Sequence, residues 1–223
     1  MMGGQMAARL LALFLALMSL GQGTLEQYEN EMSLGGNLFL VNREYALASD
    51  YQPDDLVKPN VRCTYSNITM RQEAANALEK MFQAAKEEAG YTLIAVSGYR
   101  SYGQQSAIFQ RKVDSVGKKK AMLLVAPPGT SEHQLGLAMD IAKKGASSLT
   151  TAFADTPQGR WVSENAHRYG FIIRYLKDYE DVTGYSYEPW HIRYVGVEQA
   201  TAIYESGLPM ELYMSGYRLE IYD

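Results

Sequence analysis

The stretch Ser131–Asp140 (SEHQLGLAMD) and the shorter stretch Glu188–His191 (EPWH) carry the residues that decide how this chain is interpreted. Between them they supply His133, Asp140 and His191. Zn²⁺ binds imidazole nitrogen and carboxylate oxygen, and a catalytic site uses three protein ligands and leaves a fourth position for water. These residue types therefore form a candidate set of ligands for one catalytic zinc ion.

Glu188 is a spare carboxylate close in sequence to the third candidate ligand. A metal-dependent hydrolase needs a base that takes a proton from the activated water, and a glutamate placed there fits that role. The opposite interpretation is that chance put an acid near a histidine, because the chain has 25 acidic residues. The residues alone leave both interpretations open.

The spacing of the two candidate ligands in the first stretch requires a bend. Between Gly136 and Ile141, bulky and small side chains alternate, which predicts a strand with Asp140 opposite the bulky face. His133 lies an odd number of positions before Asp140, so a continuous strand would point the two side chains to opposite faces. We therefore expect the chain to turn near Gly136. The spacing of three between Glu188 and His191 likewise predicts an irregular entry into the second strand.

Arg100 lies at the end of a predicted strand and just before a predicted helix. Tyr91–Ser97 (YTLIAVS) is typical of a buried strand, and Ser101 with Gln104 forms a capping-box pattern for a helix over residues 102–116. An arginine beside a helix N-terminus is well placed to hold an anion, because its planar fork matches a carboxylate. A surface salt bridge remains the alternative for Arg100.

Composition is typical of one globular domain. The chain has 223 residues, of which 47% are hydrophobic and 21% are charged. The net charge of −4 gives no indication of the clustered basic surface that nucleic-acid binding requires, and the single basic run, Lys118–Lys120, is interpreted as a solvated loop or helix end. Cys63 is the only cysteine, so a disulfide within the chain is excluded.

The N-terminus resembles an export signal. Arg9 precedes the apolar run Leu10–Leu20, and small residues follow it, which predicts a signal peptide or N-terminal membrane anchor over residues 1–23. The run is shorter than the roughly 20 residues that a spanning helix needs. We interpret residues 24–36 as a linker and residues 37–223 as the folded domain.

The remaining patterns predict further elements. Leu38–Val41 is a predicted strand, Thr69 with Gln72 predicts the start of a helix that ends at Gly90, and residues 117–130 are a predicted loop. Further predictions are a helix starting at Thr156 and Pro157, strands over residues 171–175 and 188–195, a helix over residues 197–206, and a structural or exposed role for His167.

Four motifs together resemble the VanY-type D-alanyl-D-alanine carboxypeptidases, in the wider group of zinc metallopeptidases that includes lysostaphin and the hedgehog domain. The resemblance covers roughly residues 37–212. It rests on Ser97–Ser101 (SGYRS), Ser131–Asp140, Gly170–Tyr175 (GFIIRY) and Glu188–Gly196 (EPWHIRYVG). It implies an α+β fold in which a small antiparallel sheet carries the zinc site and helices pack around it.

The resemblance also implies roles for single residues. His133, Asp140 and His191 correspond to the ligands of one Zn²⁺ ion, and Glu188 corresponds to the catalytic base. On the substrate side, Arg100 corresponds to the arginine that polarises the scissile carbonyl or holds the substrate. The other implied substrate contacts are Ser131, Trp190 and Gln105.

The implied function is zinc-dependent removal of the C-terminal D-Ala from peptidoglycan stem peptides that end in D-Ala-D-Ala, by a monomer at the cell wall or the outer face of the membrane. An L,D-carboxypeptidase acting on tetrapeptide stems is the nearest alternative. A D,D-dipeptidase is disfavoured by the predicted export signal, because its substrate is cytoplasmic. A non-catalytic, zinc-stabilised wall-binding module is the alternative of another class. Glu188 counts against this last alternative, because a closed structural zinc site needs no base.

Overall fold

The computed structural model describes residues 32–215. The predicted signal and most of the predicted linker lie outside the described residues. Within 32–215, no helix is both long enough and apolar enough to cross a membrane.

The centre of the structure is a four-stranded antiparallel sheet with the strand order β3-β4-β6-β5. A separate pair of two-residue strands, β1 and β2, precedes it. The strands are β1 (Leu56–Val57), β2 (Met70–Arg71), β3 (Leu93–Ser97), β4 (Ala138–Lys143), β5 (Phe171–Tyr175) and β6 (Glu188–Tyr194). The two central strands, β4 and β6, are those that contain the candidate ligands Asp140 and His191.

Helices and short 3₁₀ turns surround this sheet, as expected for an α+β fold. The helices are α1 (Gln72–Ala89), α2 (Tyr102–Val116), α3 (Lys118–Leu124), α4 (Pro157–Asn165), α5 (Glu180–Thr183) and α6 (Val197–Ser206). The 3₁₀ turns are Glu132–Leu135, Thr151–Asp155 and Ala166–Tyr169, and residues 210–215 are helical at the end of the described chain. The fold class predicted from the sequence is confirmed.

The two faces of β4 explain the alternation in its sequence. Leu137, Met139 and Ile141 are completely buried in the main core, where Leu78 and Met81 of α1 also lie. Asp140 belongs to the alternate set and faces the other side of the sheet. A second core cluster joins α6 and the helical segment 210–215 to β5. The apolar face thus anchors the sheet and leaves the opposite face for polar chemistry.

Several local predictions are confirmed. Helix α2 spans the predicted residues, and both hydrogen bonds of the capping box between Ser101 and Gln104 are present. Thr156 caps α4 by accepting a hydrogen bond from the backbone N–H of Gly159, with Pro157 in the first turn. His167 is half-buried, and its ring stacks on Tyr204 with a centroid distance of 4.1 Å.

Two of the sequence-based predictions near the N-terminal part of the domain are wrong. Residues 38–41 do not form a strand, because the carbonyls of Asn37 and Phe39 accept hydrogen bonds from the Arg193 side chain and not from a neighbouring strand. Helix α1 begins at Gln72 and not at Thr69. The Thr69 carbonyl is held by the backbone N–H of Tyr99, and the Gln72 side chain donates to Asn76.

The predicted loop over residues 117–130 is also partly wrong, because Lys118–Leu124 is helical. Gly117 separates α2 from α3 with a φ of 79°. The lysines Lys118–Lys120 form the first turn of α3 and are exposed, in agreement with the interpretation of this run as a solvated helix end.

The bend predicted before β4 is present at Gly136. Its φ of 70° is left-handed, and it ends the 3₁₀ turn Glu132–Leu135. A Cβ at this position would lie 2.9 Å from Leu56 Cδ2 and 3.0 Å from Arg71 Cγ. The turn allows His133 and Asp140 to face the same side despite their odd spacing.

We expect Gly136→Ala to destabilise the domain more than Gly90→Ala does. Both glycines are left-handed, with φ values of 70° and 72°, and a left-handed alanine costs about 1–2 kcal/mol in each case. Only position 136 is crowded, since nothing lies within 4 Å of a Cβ at Gly90, and overpacking adds roughly 1–3 kcal/mol. Urea unfolding of both variants checks this. An equal decrease in the free energy of unfolding for the two variants would show that the bend at Gly136 tolerates a side chain.

Candidate active site

Asp140 and His191 are brought together by strand pairing. They are direct cross-strand partners in β4 and β6, so their side chains project from the same face of the sheet. The distance between His191 Nδ1 and Asp140 Oδ1 is 3.1 Å, and both residues are buried. The register of the two central strands therefore places two of the three candidate ligands next to each other.

His133 reaches the same point from the 3₁₀ turn that precedes β4. Its Nδ1 lies 2.7 Å from the Gly98 carbonyl, which only accepts hydrogen bonds, so Nδ1 carries the proton. Its Nε2 is then free to bind a metal and lies 3.3 Å from Asp140 Oδ2. Gly98 is required for this approach, because a Cβ there would lie 2.2 Å from the Thr69 carbonyl oxygen.

The three side chains fit a zinc ion. One ligand atom from each of His133, Asp140 and His191 lies within 4.8 Å of the other two, and all three residues are buried. Two imidazole nitrogens and one carboxylate oxygen are a donor set that zinc uses in catalytic sites. The rings of His133 and His191 meet edge to face with a centroid distance of 4.9 Å. The set leaves a fourth position open, as a catalytic site requires.

Glu188 lies beside this trio but outside it. Its Oε2 is 3.9 Å from His191 Nδ1, and burial raises the pKa of the Glu188 carboxyl to about 7, against the opposing charge of His191. The start of β6 is irregular: Ile173 pairs with Ile192 and Tyr175 pairs with Glu188, so two steps along β5 correspond to four steps along β6. The predicted irregular entry into this strand is therefore present, between Glu188 and Ile192.

Arg100 follows β3 and turns back toward the trio. Its backbone N–H donates to the His133 carbonyl at 3.1 Å, and its Nη1 donates to Ser97 Oγ at 3.2 Å and lies 3.8 Å from Asp140 Oδ2. Its Nε is buried and has no hydrogen-bond partner among the described residues. Arg100 is therefore part of the site and does not form a surface salt bridge.

A cavity of about 270 Å³ opens over these groups. Ser131 and Trp190 line it, as the resemblance implied for substrate contacts. Gln105 is not among the lining residues: it is completely buried, and its amide donates to the carbonyl of Ala126, which does line the cavity. The structure therefore places Gln105 behind the cavity wall. The remaining lining residues are mainly apolar and include Ile108, Leu124, Val125 and Leu149, together with Lys112 and Tyr175.

Glu132 was not predicted as a functional residue, although it lies within the stretch Ser131–Asp140. Glu132 is completely buried, and one of its oxygens accepts hydrogen bonds from Arg174 Nε at 2.6 Å and Arg193 Nη1 at 2.7 Å. Its other oxygen lies 3.4 Å from His191 Nε2. A signal was available, because Arg174 and Arg193 each lie between apolar or aromatic neighbours within a predicted strand, and a buried arginine requires an acidic partner.

Comparison with known proteins agrees with this geometry. The family model of VanY, described as D-alanyl-D-alanine carboxypeptidase, matches residues 67–197. The match covers more than half of the chain and contains every residue of the trio. The chain belongs to the VanY family.

Curated relatives of this VanY-family chain include protein YodJ of Bacillus subtilis (strain 168), which is 51% identical over 181 residues, or 79% of this chain and 66% of the relative. A D-alanyl-D-alanine carboxypeptidase of Enterococcus faecalis (strain ATCC 700802 / V583) is 39% identical over 188 residues, or 80% of this chain and 66% of the relative. The chain thus spans just under two thirds of the length of these two relatives.

Solved structures show the same fold. The LdcB LD-carboxypeptidase is 50% identical and superposes with a TM-score of 0.75. The match covers 79% of this chain and 85% of the LdcB chain. A mutant of the vancomycin resistance D,D-pentapeptidase VanY in complex with Zn(II) is 37% identical and superposes with a TM-score of 0.66. The match covers 80% of this chain and 98% of the VanY chain. With the ligand trio, this identifies the VanY domain of the chain as a zinc metallocarboxypeptidase domain. The recognition of the family and of zinc from the sequence is confirmed.

Proposed function

We propose that this chain removes the C-terminal D-alanine from peptidoglycan stem peptides ending in D-Ala-D-Ala, outside the membrane. The observation that carries the proposal is the convergence of three metal ligands, a carboxyl group with a pKa near 7 and an arginine on one cavity. The description of the matched family and the name of the Enterococcus faecalis relative support D-Ala-D-Ala as the substrate.

His133, Asp140 and His191 would hold a zinc ion, which would act as a Lewis acid and lower the pKa of a water molecule. Glu188 takes the proton from the attacking water and returns it to the amine of the leaving D-alanine. Burial raises the pKa of the Glu188 carboxyl above its ordinary value, which makes it a stronger proton acceptor than an exposed glutamate. Its burial, which raises this pKa, is thus part of its function.

Arg100 and Ser131 bind and orient the peptide end in this scheme. The Arg100 guanidinium stays charged at neutral pH and offers paired N–H donors, which match a carboxylate or a developing oxyanion. Ser131 lines the same cavity as the metal ligands and comes directly before the turn that contains His133. Trp190 adds an apolar wall. No covalent intermediate is required, and Ser131 is not a nucleophile in this proposal.

Removal of D-alanine from tetrapeptide stems is the second candidate. It is favoured by the higher identity to the LdcB LD-carboxypeptidase, 50% against 37% for the D,D-pentapeptidase. The two reactions share the leaving D-alanine and differ in the residue on the other side of the scissile bond. The contacts that Arg100 and Ser131 make to the leaving residue are therefore common to both.

Mass spectrometry of defined tri-, tetra- and pentapeptide stems after incubation with the purified chain separates these candidates. We expect the pentapeptide to lose one alanine residue and give a tetrapeptide, and we expect a zinc chelator to abolish the loss. Conversion of the tetrapeptide to the tripeptide, with the pentapeptide untouched, would replace the proposal with the L,D-specific reaction. Binding of all stems without cleavage would support the non-catalytic wall-binding module.

We also propose that the chain is exported by the predicted signal in residues 1–23. The support is the basic and apolar pattern of that segment, together with a substrate that lies outside the membrane. Fractionation of cells that express the full chain tests this, with the protein expected in the envelope or the medium. Retention in the cytoplasm would contradict export and leave the peptidase assay unaffected.

A further inference from the structure

A buried network of charges lies behind the metal ligands, on the side away from the cavity. Its centre is Glu132, which is completely buried next to His133 and binds both Arg174 and Arg193 through its Oε1. Both arginine side chains are also completely buried. One carboxylate does not balance two guanidinium groups, so a second acid is required for neutrality.

Glu211 is that second acid. Its two oxygens accept hydrogen bonds from the two terminal nitrogens of Arg174, at 2.6 and 2.8 Å. Arg174 is thereby held by two acids: its Nε donates a hydrogen bond to Glu132, and its two terminal nitrogens donate to Glu211. The bidentate geometry fixes the plane and the position of its guanidinium.

The second arginine is fixed by the backbone. Arg193 donates through Nε to the carbonyl of Tyr194, and through Nη2 to the carbonyls of Asn37 and Phe39. These contacts, at 2.9 to 3.0 Å, are independent of Glu211. Glu132 thus lies between one arginine held by the backbone and one arginine held by Glu211.

The free oxygen of Glu132 faces the metal site. Its Oε2 lies 3.4 Å from His191 Nε2, while His191 Nδ1 faces Asp140 on the metal side. A histidine that binds zinc through one ring nitrogen is oriented by the acceptor on its other nitrogen, and loss of such an acceptor costs roughly 10- to 100-fold in metal affinity. The position of Glu132 therefore sets the orientation of the His191 ring.

We propose that Glu211 is a positioning residue of the zinc centre, which acts through Arg174 and Glu132 on His191. Glu211 lies outside residues 67–197, the part of the chain that matches the family model. It belongs to the helical segment 210–215, which is packed against α6 through buried Met210 and Tyr213 and through a hydrogen bond from Tyr213 to Gln199. A segment beyond the matched region thus completes the outer shell of the metal site. The proposal rests on the zinc-ligand assignment and not on which stem peptide is cleaved.

The test measures zinc affinity by competition with a chromophoric chelator, so it does not depend on substrate. We expect the nearly isosteric Glu211→Gln to bind zinc about 10-fold more weakly than the wild type, at the low end of the range for outer-shell groups. The visible spectrum of the cobalt-substituted protein should shift, because it reports the geometry of the His191 ligand. We expect kcat to fall and KM to change little.

Glu88→Gln is the matched control. Glu88 forms a bidentate pair with Arg168 at 2.7 and 2.9 Å, but the pair is exposed and neither residue lines the cavity. Its loss should leave zinc affinity within twofold of the wild type. Glu211→Asp keeps the charge and shortens the side chain, so its affinity should fall between those of the wild type and Glu211→Gln, and it serves as the second variant if the glutamine form does not fold.

A double-mutant cycle decides whether Glu211 acts through Glu132. In the background of Glu132→Gln, the further change Glu211→Gln should cost less than twofold in zinc affinity. Full additivity of the two changes would overturn the proposed route. A Glu211→Gln protein with lowered thermal stability and unchanged zinc affinity and cobalt spectrum would reduce Glu211 to a structural ion pair.

Discussion

Replacing Glu188 with alanine should lower the turnover of stem peptide by about 10²- to 10⁴-fold and leave zinc bound. The carboxyl of Glu188 lies at the cavity beside the ligand trio and is not one of its members, so its removal takes away a proton acceptor without removing a ligand. Steady-state kinetics and the measured zinc content of the same preparation check both parts. Glu188→Gln keeps the size of the side chain and should show the same loss.

Glu164→Ala is a suitable control for this experiment. Glu164 is exposed on α4, so its removal should change neither activity nor zinc content. Activity of Glu188→Ala within tenfold of the wild type would contradict the assignment of Glu188 as the base. Loss of zinc from the same variant would make Glu188 a ligand instead.

Replacing His133 with alanine should abolish stoichiometric zinc binding, with an affinity loss greater than the roughly 100-fold upper end seen for outer-shell groups. The variant removes one of only two imidazole ligands in the trio, and Asp140 then loses the partner that lies 3.3 Å away. Metal analysis after dialysis, together with peptide cleavage, measures the effect. Activity should fall with the zinc content.

His167 provides the matched control, because the chain has three histidines and His167 is the one outside the trio. Its ring stacks on Tyr204 and its Nδ1 lies 3.3 Å from Thr201 Oγ1. His167→Ala should therefore bind zinc and cleave peptide as the wild type does. If His133→Ala still holds one zinc per chain, the ligand set proposed from the sequence is wrong.

Local sequence patterns predicted the elements that depend on neighbours along the chain. The capping box of α2 and the threonine cap of α4 formed as expected, because their donors and acceptors lie three residues apart. The predicted strand over residues 38–41 is not formed, because the carbonyl of Phe39, like that of Asn37 just before it, accepts a hydrogen bond from Arg193 of a distant strand. The start of α1 was misplaced for a related reason: Met70 and Arg71, which lie between the predicted cap residues Thr69 and Gln72, form β2 and pair with β1.

The residues of the candidate site likewise fall into those that local patterns predicted and those that depend on contacts between distant segments. The residue types of the trio and Glu188 were apparent from zinc chemistry, and the odd spacing of His133 and Asp140 required the bend that Gly136 provides. Glu132 escaped notice, because a glutamate next to a ligand has no special meaning until its surroundings are known. Its burial between two arginines follows from strands 42 and 61 residues away.

The sequence by itself predicted the metal and the ligand types and nominated Glu188 as the base, because zinc chemistry restricts the residue types and because four short motifs resemble those of the VanY family. Only the tertiary structure decided that Asp140 and His191 are cross-strand partners, that Gln105 lies behind the cavity wall, and that Glu211 pairs with Arg174. The physical reason is that strand register and the pairing of buried charges are set by contacts between distant segments, whose partners no local pattern specifies.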